Sequence, residues 1–388
     1  MYKEYCTGCG LCTSIKDVDI EMEKNGFREI SSSDNRDGFL EKVCPSGGIQ
    51  CKQLEPGKIW GREHGVFLSY SLNSSVRKKA SSGGVLTTIA LYLLDHKLVD
   101  GIIQVKGKDS DPIETEVVCS QTKEEVLACM GSRYSSSMPL DNIKSFLDEN
   151  RKYAFIGKPC DVTALRNYLR LQPEHNEKIL YMLSFFCAGA PSKYANIRLL
   201  DKLNCTEDSC RYLRYRGDGW PGYATAINCE GVESRITYRE AWRDTLGRDV
   251  RKICRFCLDG IGELADISCG DAWYLDENRQ PVFEEADGRN VVFCRTEKGR
   301  KLFNDVVQCG NLYSEEYPKF EEELPCYQAY QYDRRASMSS TLTAMRIMGK
   351  EIPKYDKKLL RTYANKITFK RKIKRFIGTL QRIRNGKI

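Results

Sequence analysis

Three cysteines at two-residue intervals, Cys6, Cys9 and Cys12 in "CTGCGLC", and a fourth ahead of a proline, Cys44 in "EKVCP", are residues of the kind that hold iron. In the bacterial run C-x2-C-x2-C-x3-C-P such thiolates wrap a [4Fe-4S] cubane, and in two-cluster ferredoxins the fourth cysteine of each run serves the other cluster. Here Lys16 stands where the first run would carry its fourth cysteine, and Asp34, Asp37 and Leu40 stand where the second would carry its first three. Positions 16, 34, 37 and 40 are one cluster's complete ligand set. Cys6, Cys9, Cys12 and Cys44 are the other's, so the spacing predicts a ferredoxin-like module reduced from two clusters to one. Two readings compete: structural zinc, which favours separated Cys pairs and often His, and simple packing.

Four further cysteines come from three segments. Cys160 in "FIGKPCDVTAL" and Cys187 in "LSFFCAGAPS" each sit where an apolar strand gives way to a helix, and in a parallel sheet such ends share one edge. "CRFC" adds Cys254 and Cys257 at chelating spacing, enough in total for a second [4Fe-4S] cluster. Each of the singles also reads as a buried core thiol. The remaining ten cysteines, Cys269 included, read as packing residues. "RKKASSGG" sets Ser81, Ser82, Gly83 and Gly84 before a helix, where free N–H groups can take a phosphate; a serine N-cap with glycines for close packing fits the same string. Gly217, Gly219 and Gly222 spell G-x-G-x-x-G, but Pro221 and the strand-like "YATAIN" make it a hairpin turn, not a dinucleotide site.

The elements that must position these residues follow from periodicity. Residues 1–58 form the cluster module. Over 59–330 the strands "GVFLSYSL", "DGIIQVKG", "KYAFIG" and "KILYMLSFF" alternate with helices at "SSGGVLTTIALYLLDHKL", "TKEEVLACMGSR", "DVTALRNYLR" and "PSKYANIRLLDKLN", which predicts an α/β core with a largely parallel sheet. Thr122 and Glu125 are in capping-box register. From 210 onward short strands and Gly-rich turns predict an antiparallel excursion, and 331–388 a basic helical tail.

Among 388 residues, 41% are hydrophobic and 29% charged, which is globular material. The net charge of +8 is concentrated: residues 350–388 hold 14 Lys or Arg against two acids, a local +12, so the rest carries 8 − 12 = −4. A nucleic-acid-binding core is therefore not expected, whereas the tail suits an acidic partner or peripheral contact with an anionic membrane. In the tail Ile373, Phe376, Ile377, Leu380 and Ile383 recur at helical spacing. "GVLTTIALYLL" is too short to span a bilayer, the cluster motif begins too early for a leader, and a reducing cytoplasmic setting is expected. Three histidines leave little material for imidazole-based catalysis.

Taken in order, "CTGCGLC", "EKVCP", "SSGGVLTTIALYLL", "GSRYSSS", "GKPCDVTALRNYL", "FFCAGAPS", "CRFC" and "ADISCGDAW" resemble the beta-subunit family of coenzyme F-420-reducing hydrogenases and dehydrogenases, and are similar to 7-hydroxymethyl chlorophyll reductases. The resemblance runs to about residue 310. It implies an iron-sulfur flavoprotein that binds FAD on an α/β core and moves electrons between clusters and flavin, with Ser81 to Gly84 and Ser132, Arg133 and Tyr134 of "GSRYSSS" contacting FAD. The departure is the missing second ferredoxin cluster, which shortens the relay. The resulting expectation is an oxidoreductase fed by a ferredoxin-like donor or a reduced deazaflavin and acting on a small organic substrate, in a polysaccharide-biosynthetic setting by analogy with members of that kind. The alternatives are a non-catalytic electron-transfer subunit of a partner enzyme and a scaffold with vestigial clusters.

Overall fold

The computed structural model describes residues 4–16, 18, 20–30, 38–47 and 54–386. Its centre is an eight-stranded sheet. The strands in chain order are β1 (Ile20–Met22), β2 (Arg28–Ile30), β3 (Val66–Ser71), β4 (Gly101–Lys108), β5 (Asp111–Ser120), β6 (Tyr153–Gly157), β7 (Ile179–Phe185), β8 (Cys210–Arg214), β9 (Tyr223–Asn228), β10 (Glu233–Thr237), β11 (Ile267–Asp271), β12 (Asn290–Cys294) and β13 (Leu312–Glu316). The large sheet runs β13-β3-β12-β11-β7-β6-β4-β5. Only β4, β6, β7 and β11 are mutually parallel, joined to the others by antiparallel pairing. The fold is thus α/β, but the sheet is mixed. The sequence reading missed β5 because the half-buried Glu114 and Glu116 interrupt the apolar pattern, while hairpin pairing with β4 needs no crossover helix.

Alternation along the central strands builds two apolar layers. Ile102, Ala154 and Leu183 face the helices Val85–Asp95 and Glu297–Gln308. Ile103, Phe155 and Met182 face the helix Pro159–Leu171, and Cys9, Leu11, Leu40 and Val43 of the N-terminal segment join that same layer. Leu40, at a vacated ligand position, is therefore a core residue, and Lys16, at another, lies 6.0 Å from the Phe39 ring. Asp34 and Asp37 lie outside the described residues.

The antiparallel excursion is a three-stranded sheet, β10-β9-β8. The G-x-G-x-x-G string is the β8–β9 turn, with positive φ at all three glycines. The helix Lys123–Ala128 starts with the Thr122/Glu125 capping box. The tail is built into the core. Met338, Leu342, Leu359, Tyr363 and Ile383 share one apolar cluster with Tyr5, Leu54, Ile253 and Phe256, and a buried ion pair of 2.9 Å joins Arg335 to Glu263.

Candidate functional site: two thiol quartets beside one cavity

Cys6 and Cys9 lie on a loop with left-handed glycines at Gly8 and Gly10, and Cys12 lies in the first turn of the short helix Leu11–Ile15 that follows. The helix Gly38–Val43 delivers Cys44. The four sit in one another's fields. Burial pushes the Cys9 thiol well up, followed by Cys44 and Cys12; burial with Cys6 and Cys44 pushes Cys12 up to about 12; burial pushes Cys44 up to about 11 against a hydrogen bond from Ser46. Arg251 fastens this segment to the core, donating to Arg28 O at 2.9 Å and Ser136 Oγ at 3.0 Å. Gly8 is required there, because a Cβ would stand 2.4 Å from the Arg251 guanidinium.

The second group of thiols lies near the sheet edge, each within electrostatic reach of others of the group. β6 and β7 are parallel neighbours, with Gly157 opposite Ser184, so the segments after them, with Cys160 and Cys187, leave the same edge. The turn Lys252–Phe256 brings Cys254 and Cys257. Burial dominates again: it pushes Cys160 well up, with Asp161, Cys187 and Cys254 adding to the rise. Cys187 is held at about 12 by burial, Cys254 and Cys257, and Cys257 at about 11 by burial, with Arg334 acting in the opposite direction. Arg334, 2% exposed, donates to Cys254 O at 2.9 Å and Cys187 O at 3.1 Å, and its Nε has no partner. Burial opposes its charge, but Tyr330 and the thiols Cys257, Cys187 and Cys254 outweigh that and raise its pKa. Asp161 stands between the groups, acting on both Cys9 and Cys160.

Buried thiols with raised pKa values are neutral unless a cation compensates them, and an iron-sulfur or other metal centre is such a cation. Among the described residues, no three His, Cys, Asp or Glu side chains converge closely enough for a single metal ion. The donors are thiols throughout, the ligand chemistry of a cubane with one thiolate per iron.

Beside the second quartet opens a cavity of about 710 Å³, within the roughly 300–1,000 Å³ of small-molecule and cofactor sites. Cys187 is part of its wall, as are Gly157 and Lys158, just ahead of Cys160. The helix Val85–Asp95 points its first turn, Val85 to Thr87, into the cavity, and its N-cap Gly84 offers no side-chain acceptor. Ser81, Ser82, Gly84, Ser132, Arg133 and Tyr134 all line it. The two expected contact segments are joined directly, since Ser132 N–H donates to Ser81 Oγ at 2.6 Å. Arg133 is mostly buried, which lowers its pKa, and its Nε is without a partner. Val85 N–H is taken by Asn290 Oδ1 at 3.5 Å, but Leu86 and Thr87 of the same helix N-terminus line the cavity beside the cationic Arg133, which fits a phosphate-bearing cofactor.

Gly83 corrects the sequence reading. It is absent from the cavity wall, and a Cβ there would stand 2.8 Å from Asn290 Oδ1 and 2.9 Å from Ser69 O. Its lack of a side chain lets the chain approach β3 and β12, which is the packing alternative for that string. Cys269, read as packing, is 4% exposed and also reaches the wall.

The sequence reading overlooked the far wall. Arg216 pairs in bidentate fashion with Asp271, at 2.8 and 3.0 Å, and Trp220 Nε1 donates to the same carboxylate at 3.0 Å. The Arg216 guanidinium lies 4.4 Å from the Tyr238 ring centroid and 5.1 Å from Trp273, which stacks on Trp220 at 4.4 Å. Arg239 and Arg243 are exposed residues of the same wall. A signal was available: three of the chain's four tryptophans, Trp220, Trp242 and Trp273, fall with Tyr238 between 220 and 273, a region that begins as the expected antiparallel excursion.

Paired thiol groups next to a cofactor-sized cavity on a mixed α/β sheet define a redox protein in general outline. The comparisons make it specific. Residues 66–144 match the N-terminal part, and residues 150–319 the C-terminal part, of the family described as coenzyme F420 hydrogenase/dehydrogenase, beta subunit. The chain belongs to this family, whose members are oxidoreductase subunits. It is 25% identical over 297 residues to the coenzyme F420 hydrogenase subunit beta of Methanococcus voltae, covering 72% of this chain and 94% of that one. It is 26% identical over 336 residues to the coenzyme F420-dependent sulfite reductase of Methanocaldococcus jannaschii, covering 82% of this chain and 48% of that one. The 7-hydroxymethyl chlorophyll a reductase of Oryza sativa is 22% identical over 311 residues, covering 78% and 61%. A chain of the F420-reducing [NiFe] hydrogenase complex of Methanosarcina barkeri has the same fold, with a TM-score of 0.60 at 21% identity, covering 77% of this chain and 98% of that one.

Proposed function

We propose that the chain is an electron-transferring iron-sulfur flavoprotein in which Cys6, Cys9, Cys12 and Cys44 hold one [4Fe-4S] cluster, Cys160, Cys187, Cys254 and Cys257 hold a second, and the cavity holds FAD. The observation that carries this reading is the position of Cys187, a member of the second quartet and of the cavity wall at once. When bound, clusters supply one-electron carriers and the flavin converts single electrons into pairs. The ferredoxin-like character of residues 1–58 belongs to this reading.

The protein's own residues supply binding and exclusion of water. Leu86 and Thr87 N–H groups and Arg133 receive phosphate, Ser81 and Ser132 hold the two binding segments together, and Lys158, in a buried ion pair of 2.9 Å with Asp161, closes the side toward the quartets. Trp273, Tyr238 and Phe283 offer flat apolar walls to a planar reactant, with the exposed Arg239 and Arg243 for its anionic groups. That chamber suits a planar anionic hydride carrier such as a deazaflavin coenzyme, so the chain is read as a subunit passing electrons to or from a partner protein. The polysaccharide setting rests on the resemblance alone and is no part of this reading.

Anaerobic purification tests it. Expected are about eight irons per chain, four for each cubane, and FAD released on denaturation. Offering a ferredoxin, reduced deazaflavin and NADH in turn then identifies the donor. Zinc in place of iron would defeat the reading.

A further inference from the structure

The C-terminal helix, Phe369–Arg384, is docked by one face only. Thr379 is fully buried and Ile383 is 7% exposed within the apolar cluster that includes Met338 and Leu342. Arg375 Nε donates to Thr341 Oγ1 at 3.4 Å, and Arg371 pairs with Asp333. These ties fix how the helix is turned. The apolar arc of the helix is wider than the surface that covers it. Phe369 is 75% exposed, Ile373 43% and Ile377 48%. At i, i+4 and i+8 they form one stripe spanning roughly 80° of the helix circumference.

The border of that stripe is charged. Lys370 and Lys374 each follow a stripe residue by one position, about 100° round the helix, so they line the edge away from the protein, and Arg384 stands exposed near the helix end. None of the sixteen residues is acidic. Three large exposed side chains beside a row of cations, on a helix whose other face is already anchored, match the arrangement of helices that lie in a bilayer interface. A protein groove of comparable fit would need an acidic rim around an apolar slot one helix wide. An anionic bilayer offers negative charge and an apolar layer over any such stripe without shape matching.

We propose that the Phe369–Arg384 helix is a docking face for an anionic lipid surface, with Phe369, Ile373 and Ile377 entering the acyl boundary and Lys370 and Lys374 at the headgroups. No helix of the described residues is long and apolar enough to cross a membrane, so the attachment is peripheral. It is independent of the cofactors assigned above.

The test is co-sedimentation of the full-length, anaerobically purified protein with vesicles of phosphatidylcholine alone or mixed with phosphatidylglycerol. Binding to the phosphatidylglycerol vesicles is expected to be at least tenfold tighter, to weaken as salt is raised, and to fall at least tenfold in Phe369→Ser/Ile373→Ser/Ile377→Ser and in Lys370→Glu/Lys374→Glu. The single Phe369→Ser variant, altered at the most exposed position, is expected to lose part of the binding with its melting temperature unchanged. Equal binding to both vesicle types, undiminished binding by the variants, or absence of binding would overturn the proposal, the last leaving the stripe to a protein partner.

Discussion

Arg334 places a buried positive charge among three thiols and keeps one N–H in reserve. Gly260 makes room for it, since a Cβ there would overlap the guanidinium. A fixed cation favours the more negative, reduced form of any iron-sulfur centre nearby, and burial strengthens the effect. Arg334→Met is therefore expected to make reduction of the second centre at least tenfold less favourable, a fall of about 59 mV for a one-electron couple. EPR-monitored titration reads this directly, with iron content unchanged; an unmoved midpoint at full iron loading would show that Arg334 only packs.

Arg133 and Gly83 lie close in the fold yet predict opposite phenotypes. Arg133→Ala removes a cation with an unpartnered N–H at the cavity, so flavin retention should drop at least tenfold while the melting temperature holds. Gly83→Ala instead drives a methyl into Asn290 and the Ser69 carbonyl, an overpacking cost of about 1–3 kcal/mol. Thermal unfolding and flavin content, measured on both variants, separate the roles; loss of flavin without loss of stability in Gly83→Ala would return that residue to the ligand.

At the level of elements, each quartet is assembled by segments with no reason to meet in isolation. The helix Gly38–Val43 is anchored by Leu40 and Val43 in the same apolar layer as Cys9 and Leu11, which brings Cys44 to a loop more than thirty residues earlier in the chain. Cys9→Ser and Cys44→Ser should then erode the same EPR signal, while Cys254→Ala erodes the other and leaves FAD bound. Independent signals for Cys9 and Cys44 would refute a shared centre. The helix Ala329–Ala336 acts similarly on the second quartet. Its Gln331 donates to Cys187 O at 3.0 Å and accepts from Arg334 at 2.6 Å, so part of the expected tail is structural support for the site.

For the molecule as a whole, the second quartet meets the cavity at Cys187, and Asp161, also in the cavity wall, acts on a thiol of each quartet. If the N-terminal centre is the port for a protein donor, Cys9→Ser should abolish reduction of the bound flavin by ferredoxin and spare its reduction by a deazaflavin that enters the cavity. Stopped-flow absorbance of the flavin under argon distinguishes these. Loss of both routes would place the ports elsewhere.

Short-range chemistry was legible in the sequence. Cysteine spacing, the Thr122/Glu125 cap, the helix after Gly84 and the hairpin at Gly217 to Gly222 depend on neighbours within a few positions, and the structure has the cap, helix and hairpin where spacing put them. The parallel pairing of β6 and β7 was accessible because the strand-helix rhythm fixes which ends share an edge. Other features needed the folded chain. Arg216 meets Asp271 across 55 positions and Arg334 meets Cys187 across 147, and neither has a local signature. Whether Gly83 faces ligand or sheet turns on how the bend before its helix packs against β3 and β12, and whether Ile377 faces core or solvent turns on how its helix is rotated about its axis. Amphipathic spacing names the stripe, but only the packing partner's width decides how much of it is covered.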